Sequence, residues 1–124
     1  MENSRLNIRR VSGVTVIELV GEHDLSTVRG LEGALGRVGG ARPCVVDLSA
    51  AAFIDSSILN ALMQRAPDGE RPRWLGVVAP ATGAAARLLE ITGAAGILPV
   101  YTALDDALAR ARSLPLPAGG ARSA

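Results

Sequence analysis

The stretch that decides the fold is Pro43-Cys-Val-Val-Asp-Leu-Ser49, then Ala50-Ala-Ala-Phe-Ile-Asp-Ser-Ser57, then Ile58-Leu-Asn-Ala-Leu-Met-Gln-Arg-Ala66. The apolar run from Cys44 to Leu48, bounded by Pro43, reads as a buried strand. A short loop follows. Asp55-Ser56-Ser57 then stands directly before Ile58, Leu59, Leu62, Met63 and Ala66, which recur at helical spacing. The pattern places a carboxylate and two hydroxyls at a helix N-terminus, beyond the end of a central strand.

Working outward toward the N-terminus, Val28, Leu31, Leu35 and Val38 mark one stripe of an amphipathic helix. Gly30, Gly33 and Gly36 each weaken it by roughly 1 kcal/mol relative to Ala, so it depends on packing. Gly39-Gly40 is expected to end it. Before it, Gly21-Glu22-His23-Asp24-Leu25-Ser26-Thr27 reads as a polar loop. Arg5–Arg10 and Val14–Val20 form two strands around the Ser12-Gly13 turn, an antiparallel hairpin whose first strand is an Arg-bearing edge. Residues 1–4 are expected to fray.

Toward the C-terminus, residues 67–72 (Pro-Asp-Gly-Glu-Arg-Pro) read as a turn, and Arg73–Ala79 as a further buried strand. Thr82 is expected to cap a helix from Gly83 to Thr92 that stops at Gly93. Ile97–Tyr101 reads as the last strand. The last helix carries Leu104, Leu108 and Ala111, with Asp105 and Asp106 in its first turn, where they suit the helix dipole. The order β-β-α-β-α-β-α-β-α predicts an α/β fold: a mostly parallel sheet of about five strands, the first antiparallel at the edge, and about four helices. Residues 1–112 are expected to make a single domain and 113–124 a flexible tail.

The chain has 124 residues, 48% of them hydrophobic and 20% charged, with a formal net charge of +1. That is globular composition. Its basic residues are all Arg and are scattered, with one Trp, one Tyr and one Phe. Neither a basic stripe nor a base-stacking platform is present, so no direct nucleic-acid partner is expected. Cys44, the single cysteine, reads as a small buried hydrophobe. No apolar stretch is long enough to span a bilayer, and Met1-Glu-Asn-Ser-Arg5 opens no signal peptide. A cytoplasmic protein, not inserted in a membrane, is expected; its oligomeric state is open.

Ligands and partners of such sheets meet the loops beyond the carboxyl ends of the strands. Two of these loops carry ionisable groups, Glu22-His23-Asp24 and Asp55-Ser56-Ser57, and they share one edge of the molecule if their strands are neighbours. Asp55 can be simply a helix N-cap. Alternatively, one of the hydroxyls accepts a phosphoryl group, which would sit on free helix N–H groups and add about −1.5 to −2 charge beside Asp55. A hydrolase triad of Ser57, His23 and Asp24 or Asp55 is disfavoured, because residues 55–59 lack the glycines of a nucleophile elbow. No His/Cys cluster offers a metal site, and the absence of Lys excludes a Walker-type phosphate loop. No cofactor and no enzymatic activity are expected.

Val20-Gly-Glu-His-Asp-Leu-Ser-Thr27 resembles the Gly-Glu-x-Asp signature of the STAS domain. Val46-Asp-Leu-Ser49 through Phe53-Ile-Asp-Ser-Ser57 resembles its Asp-Leu-Ser…Asp-Ser-Ser motif, and residues 88–93, 97–101 and 107–108 are similar to its C-terminal third. The ordered match covers roughly residues 5–112. Stand-alone bacterial members of this family are mostly anti-sigma factor antagonists. The resemblance implies a STAS fold and a partner switch regulating sigma-factor-dependent transcription. The unphosphorylated protein binds an anti-sigma factor that is also a serine kinase; phosphorylation of Ser57 (less readily Ser56) releases it, and a serine phosphatase restores binding.

Asp24 and Asp55 match the acidic residues flanking that serine. The implied partner-binding residues are Glu22, His23, Asp24, Ser26, Thr27, Asp55, Ser56, Ser57, Ile58 and Asn60. Ile58 and Asn60 stand where relatives commonly carry glycine, and His23 where they carry an aliphatic residue. These departures motivate an alternative: a constitutive, unphosphorylated STAS subunit of a transporter or signalling complex.

Overall fold

In the computed structural model, residues 4–38, 42–65 and 74–114 are described. The chain begins with a hairpin, β1 (Arg5–Val11) and β2 (Val14–His23), antiparallel with Val11 opposite Val14. Ser12 and Gly13 both take positive φ, 53° and 82°. That is what a two-residue turn matched to the strand twist requires. Then follow α1 (Val28–Val38), β3 (Cys44–Asp47), β4 (Ala51–Ile54), α2 (Ser56–Gln64), β5 (Leu75–Val78), α3 (Ala84–Thr92), a 3-10 turn (Ala94–Gly96), β6 (Val100–Tyr101) and α4 (Leu104–Ser113).

The main sheet has the order β1-β2-β3-β5-β6, and every pairing after the first hairpin is parallel. Strand β4 is the addition to the expected five. It pairs in parallel with the far end of β2, Glu22 opposite Phe53 and His23 opposite Ile54. Strand β2 therefore continues through Gly21-Glu22-His23, which the polar residue types had suggested was a loop. Gly21, at φ 86°, sits where the register with β4 shifts, so the glycine serves a bulge inside the strand.

Layering follows from alternation along the strands. Ile17, Leu19, Cys44, Val46, Leu75 and Val77 face α1, α2 and α3 in the larger core. Val14, Val16, Val45 and Val78 face α4, through Ala107, Leu108 and Ala111. Helices thus cover both faces, and β3 and β5, buried on both sides, read as unbroken apolar runs. On the edge strand, Ile8 remains 42% exposed although Leu6 packs against the core.

Three expectations change in detail. The N-cap of α3 is Gly83, with no side-chain cap, because its N–H closes a turn onto the Pro80 carbonyl at 3.0 Å and Thr82 lies inside that turn. Gly93 does end α3, at φ 81°. The last strand is shorter than Ile97–Tyr101, since the 3-10 turn carries the chain to Leu98, whose N–H bonds Ala94 O at 2.8 Å. The expected frayed start, the Gly39-Gly40 stop, the 67–72 turn and all but the first residues of the tail lie outside the described residues. No described helix is long and apolar enough to cross a membrane.

Candidate functional site

Helix α2 begins where the sequence places it. Asp55, extended at φ −117° and ψ −173°, accepts the N–H of Ser57 at 2.9 Å and of Ile58 at 3.3 Å. Two donors left over at the helix start are satisfied by one carboxylate oxygen. The same oxygen accepts the Ser57 hydroxyl at 2.6 Å, the short distance of a charge-assisted bond. Burial raises the Asp55 pKa, but the Ser57 hydroxyl and the N–H groups of Ile58, Ser57 and Leu25 outweigh it and hold the carboxyl below its ordinary value.

The two loops lie close together: Leu25, beyond β2, is near enough for its N–H to add a little to the lowering of the Asp55 pKa. Asp24, one residue earlier, repeats the local geometry: its carboxylate accepts the Ser26 hydroxyl at 2.6 Å and the Ser26 N–H at 2.9 Å. The Ser26 hydroxyl, with help from its N–H, lowers the Asp24 pKa; burial and the Asp55 charge push the other way. Two ionised carboxylates therefore stand near each other at the end of the β2–β4 pair, each gripping a serine two residues on.

The expected site residues divide by orientation. Glu22, Ser26, Ser56 and Asn60 are exposed; Asp24, Thr27, Asp55 and Ser57 are half-buried. Ser56 and Asn60 line a hollow of about 160 Å³ with Leu59, Met63, Thr92 and Ala94. His23 and Ile58 are turned inward. His23 is only 3% exposed; Nε2 faces two carbonyls and donates to those of Arg5, at 3.0 Å, and Val20, at 3.1 Å, while Nδ1 lies within hydrogen-bond distance of the Thr27 hydroxyl, at 3.2 Å. This imidazole holds the start of β1 to the end of β2 and offers no polar atom to a partner. Ile58 has no exposed surface and belongs to the main core. Replacing a glycine by Ile58 therefore adds core volume and leaves the surface unobstructed.

Two surface residues were not among those expected. Leu25 is 73% exposed at the tip of the first loop, and Phe53 is 48% exposed one strand position from the cap. Leu25 carries a signal in retrospect, as the one apolar residue in an otherwise polar loop.

A family model described as "Mlab, STAS domain" matches residues 6–99. The chain belongs to the STAS domain family. Among solved STAS-like structures, it is similar to an anti-sigma factor antagonist from Mycobacterium paratuberculosis, with 32% identity, a TM-score of 0.73, and coverage of 89% of this chain and 95% of that one. It also shares its fold with the anti-sigma factor antagonist SpoIIAA in its unphosphorylated form, at 15% identity and a TM-score of 0.61 over 89% of this chain and all (100%) of the other. The Bacillus cell fate determinant SpoIIAA in the phosphorylated form matches at 15% identity and a TM-score of 0.56, over 86% and 98% of the two chains. Comparison with curated proteins gave no match. In this STAS domain Asp24, Asp55 and Ser57 lie at one end of the sheet, on the loop after β2 and at the start of α2.

Proposed function

We propose that this STAS domain is an anti-sigma factor antagonist that works as a cytoplasmic partner switch. It binds a serine-kinase-type anti-sigma factor when Ser57 is free and releases it when Ser57 is phosphorylated. The observation that carries this reading is the Ser57 hydroxyl, donated to Asp55 Oδ1 at 2.6 Å in the first turn of α2. With its hydrogen committed to Asp55, the oxygen keeps its lone pairs for an electrophilic phosphorus. The transfer joins Oγ to the γ-phosphorus of the kinase's ATP and breaks the bond to the β-phosphate oxygen. ADP leaves, and the hydroxyl proton is drawn from its bond to Asp55 onto the kinase's own base. Asp55, held ionised, orients the hydroxyl, and the domain itself catalyses nothing.

The product would carry about −1.5 to −2 charge between two carboxylates. The positive end of the α2 dipole favours an anion there, although Asp55 already takes the Ser57 and Ile58 N–H groups, while a partner that accepted two negative charges now meets about three and a half to four. A serine phosphatase would reverse the change. The fully buried Ile58 supports this reading, since the substitution leaves the partner face open.

Asn60 favours the alternative, a constitutive STAS subunit of a transporter or signalling complex. Its exposed side chain stands on the outer face of α2, where a glycine would allow closer backbone approach. Incubation with each kinase-type anti-sigma factor of the same genome and ATP, followed by intact mass, separates the two. One added phosphate on the wild type and none on Ser57→Ala is expected; identical spectra sink the switch.

A further inference from the structure

A second hollow shares β4 with this site. Phe53, Thr82, Gly83, Arg87, Leu88 and Ile91 line a groove of about 480 Å³ between β4 and α3. Its walls are apolar and unusually open to water: Phe53 is 48% and Ile91 74% exposed. On α3, Ala84, Arg87, Leu88 and Ile91 follow the i, i+3, i+4, i+7 spacing of one helix stripe; Leu88 packs partly against the core, while Ala84, Arg87 and Ile91 stay exposed. Exposed apolar side chains clustered this way mark contact surfaces more often than isolated ones do.

Arg87 supplies the chemistry. Its guanidinium has no hydrogen-bond or ion-pair partner among the described residues, although it lies in a groove of otherwise apolar and small groups. Beside Phe53 the charge is negative: Glu22 stands opposite it in the β2–β4 register, with Asp24 just beyond. The surface is thus bipolar, acidic at the Asp24 loop, apolar across Phe53, and basic at Arg87. A complementary protein surface needs a cation, an apolar side chain and a carboxylate in that order.

We propose that this groove is the second half of the partner surface. Its occupant is a segment of the anti-sigma factor that inserts an apolar side chain beside Phe53 and Ile91 and sets a carboxylate on Arg87. This rests on the reading under Proposed function and deepens it. The acidic end is the part that phosphorylation alters; the groove is an anchor that phosphorylation does not touch, and it fixes the orientation of the partner on the switch.

The test is calorimetric titration of the anti-sigma factor that binds the wild-type protein, with single variants of full-length protein. Arg87→Glu is expected to weaken binding at least tenfold and Ile91→Ser about five- to tenfold, with Arg87→Lys within about threefold. Arg110→Glu, on the exposed face of α4, should bind as the wild type does. All three positions are exposed, so thermal melting by circular dichroism should show the fold intact. If Arg87→Glu and Ile91→Ser bind within twofold of wild type while Ser57→Glu does not bind, the groove proposal is overturned and the switch stands. If no anti-sigma factor of the genome binds the wild-type protein, both fall.

Discussion

Replacing Asp55 separates what its shape contributes from what its charge contributes. Asp55→Ala removes the acceptor of two helix N–H groups and of the Ser57 hydroxyl. Loss of an N-cap costs about 1 kcal/mol and up to about 2. The freed donors lie at a half-exposed helix end where water replaces part of the bonding, so the lower half of that range applies. For a chain of this size, about 1 kcal/mol corresponds to a drop of roughly 3–6 °C in Tm.

Asp55→Asn keeps an equivalent cap oxygen, so at neutral pH it should cost only a few tenths of a kcal/mol, the share that belongs to charge. The depressed pKa sets the pH window. A carboxyl whose folded pKa is lowered contributes stability above its unfolded value of 3.8, and that contribution is lost as pH falls through the folded pKa below it. Urea unfolding at pH 7 and again near pH 2.5 reads both terms. The gap between wild type and Asp55→Asn should close at the lower pH, while Asp55→Ala stays less stable. Equal losses for Ala and Asn at pH 7, or no loss for either, would refute the cap argument.

Other expectations follow from the core and the strand pairs. Gly76→Ala would drive a Cβ into the six-membered ring of Trp74, so the indole must leave its seat over β5; the fluorescence of this single Trp should shift to the red, with about 1–2 kcal/mol lost. His23→Ala strips a donor from the Arg5 and Val20 carbonyls and should cost about 1–3 kcal/mol, with amide exchange rising first at the start of β1. Burial pushes the Cys44 thiol up to about 11 from 9.0, against a smaller opposing pull from Arg65. Between those values the unfolded chain is a thiolate and the native one a thiol. Stability should therefore fall by up to about 1.4 kcal/mol per pH unit across that window, a slope that Cys44→Ala should lack. Ser57→Glu, carrying one fixed charge beside Asp55, should fold normally and fail to bind the anti-sigma factor in calorimetry.

What the residues disclose before folding is uneven, for physical reasons. Asp55 as the cap of α2 is legible because an acceptor followed by helical spacing has one common solution. The edge hairpin is legible from Ser12-Gly13, and the four helices from their apolar stripes. Strand β4 is hidden because Ala51 and Ala52 carry little strand preference and four residues show no period. The continuation of β2 through Glu22 and His23 is hidden for a related reason. Polar residues pair as strand there only because β4 arrives beside them, and that is a tertiary event. The inward turn of His23 and Ile58 is equally tertiary, since a histidine in a polar stretch and an isoleucine at a helix start are compatible with either orientation. The convergence of the two loops, by contrast, is expected once their strands are neighbours.

The Leu25 N–H approaches the Asp55 carboxylate closely enough to help lower its pKa, and so couples one loop to the first turn of a helix some thirty residues away. It follows that the two segments cannot drift independently through sequence space. A change in the length or bend of the 24–27 loop withdraws a donor from the cap, and a change at the cap loosens the loop that carries Asp24. Sequence changes in these two segments should therefore show epistasis, tolerated in pairs more readily than alone, and a graft of either segment into another STAS domain should function only when its counterpart travels with it.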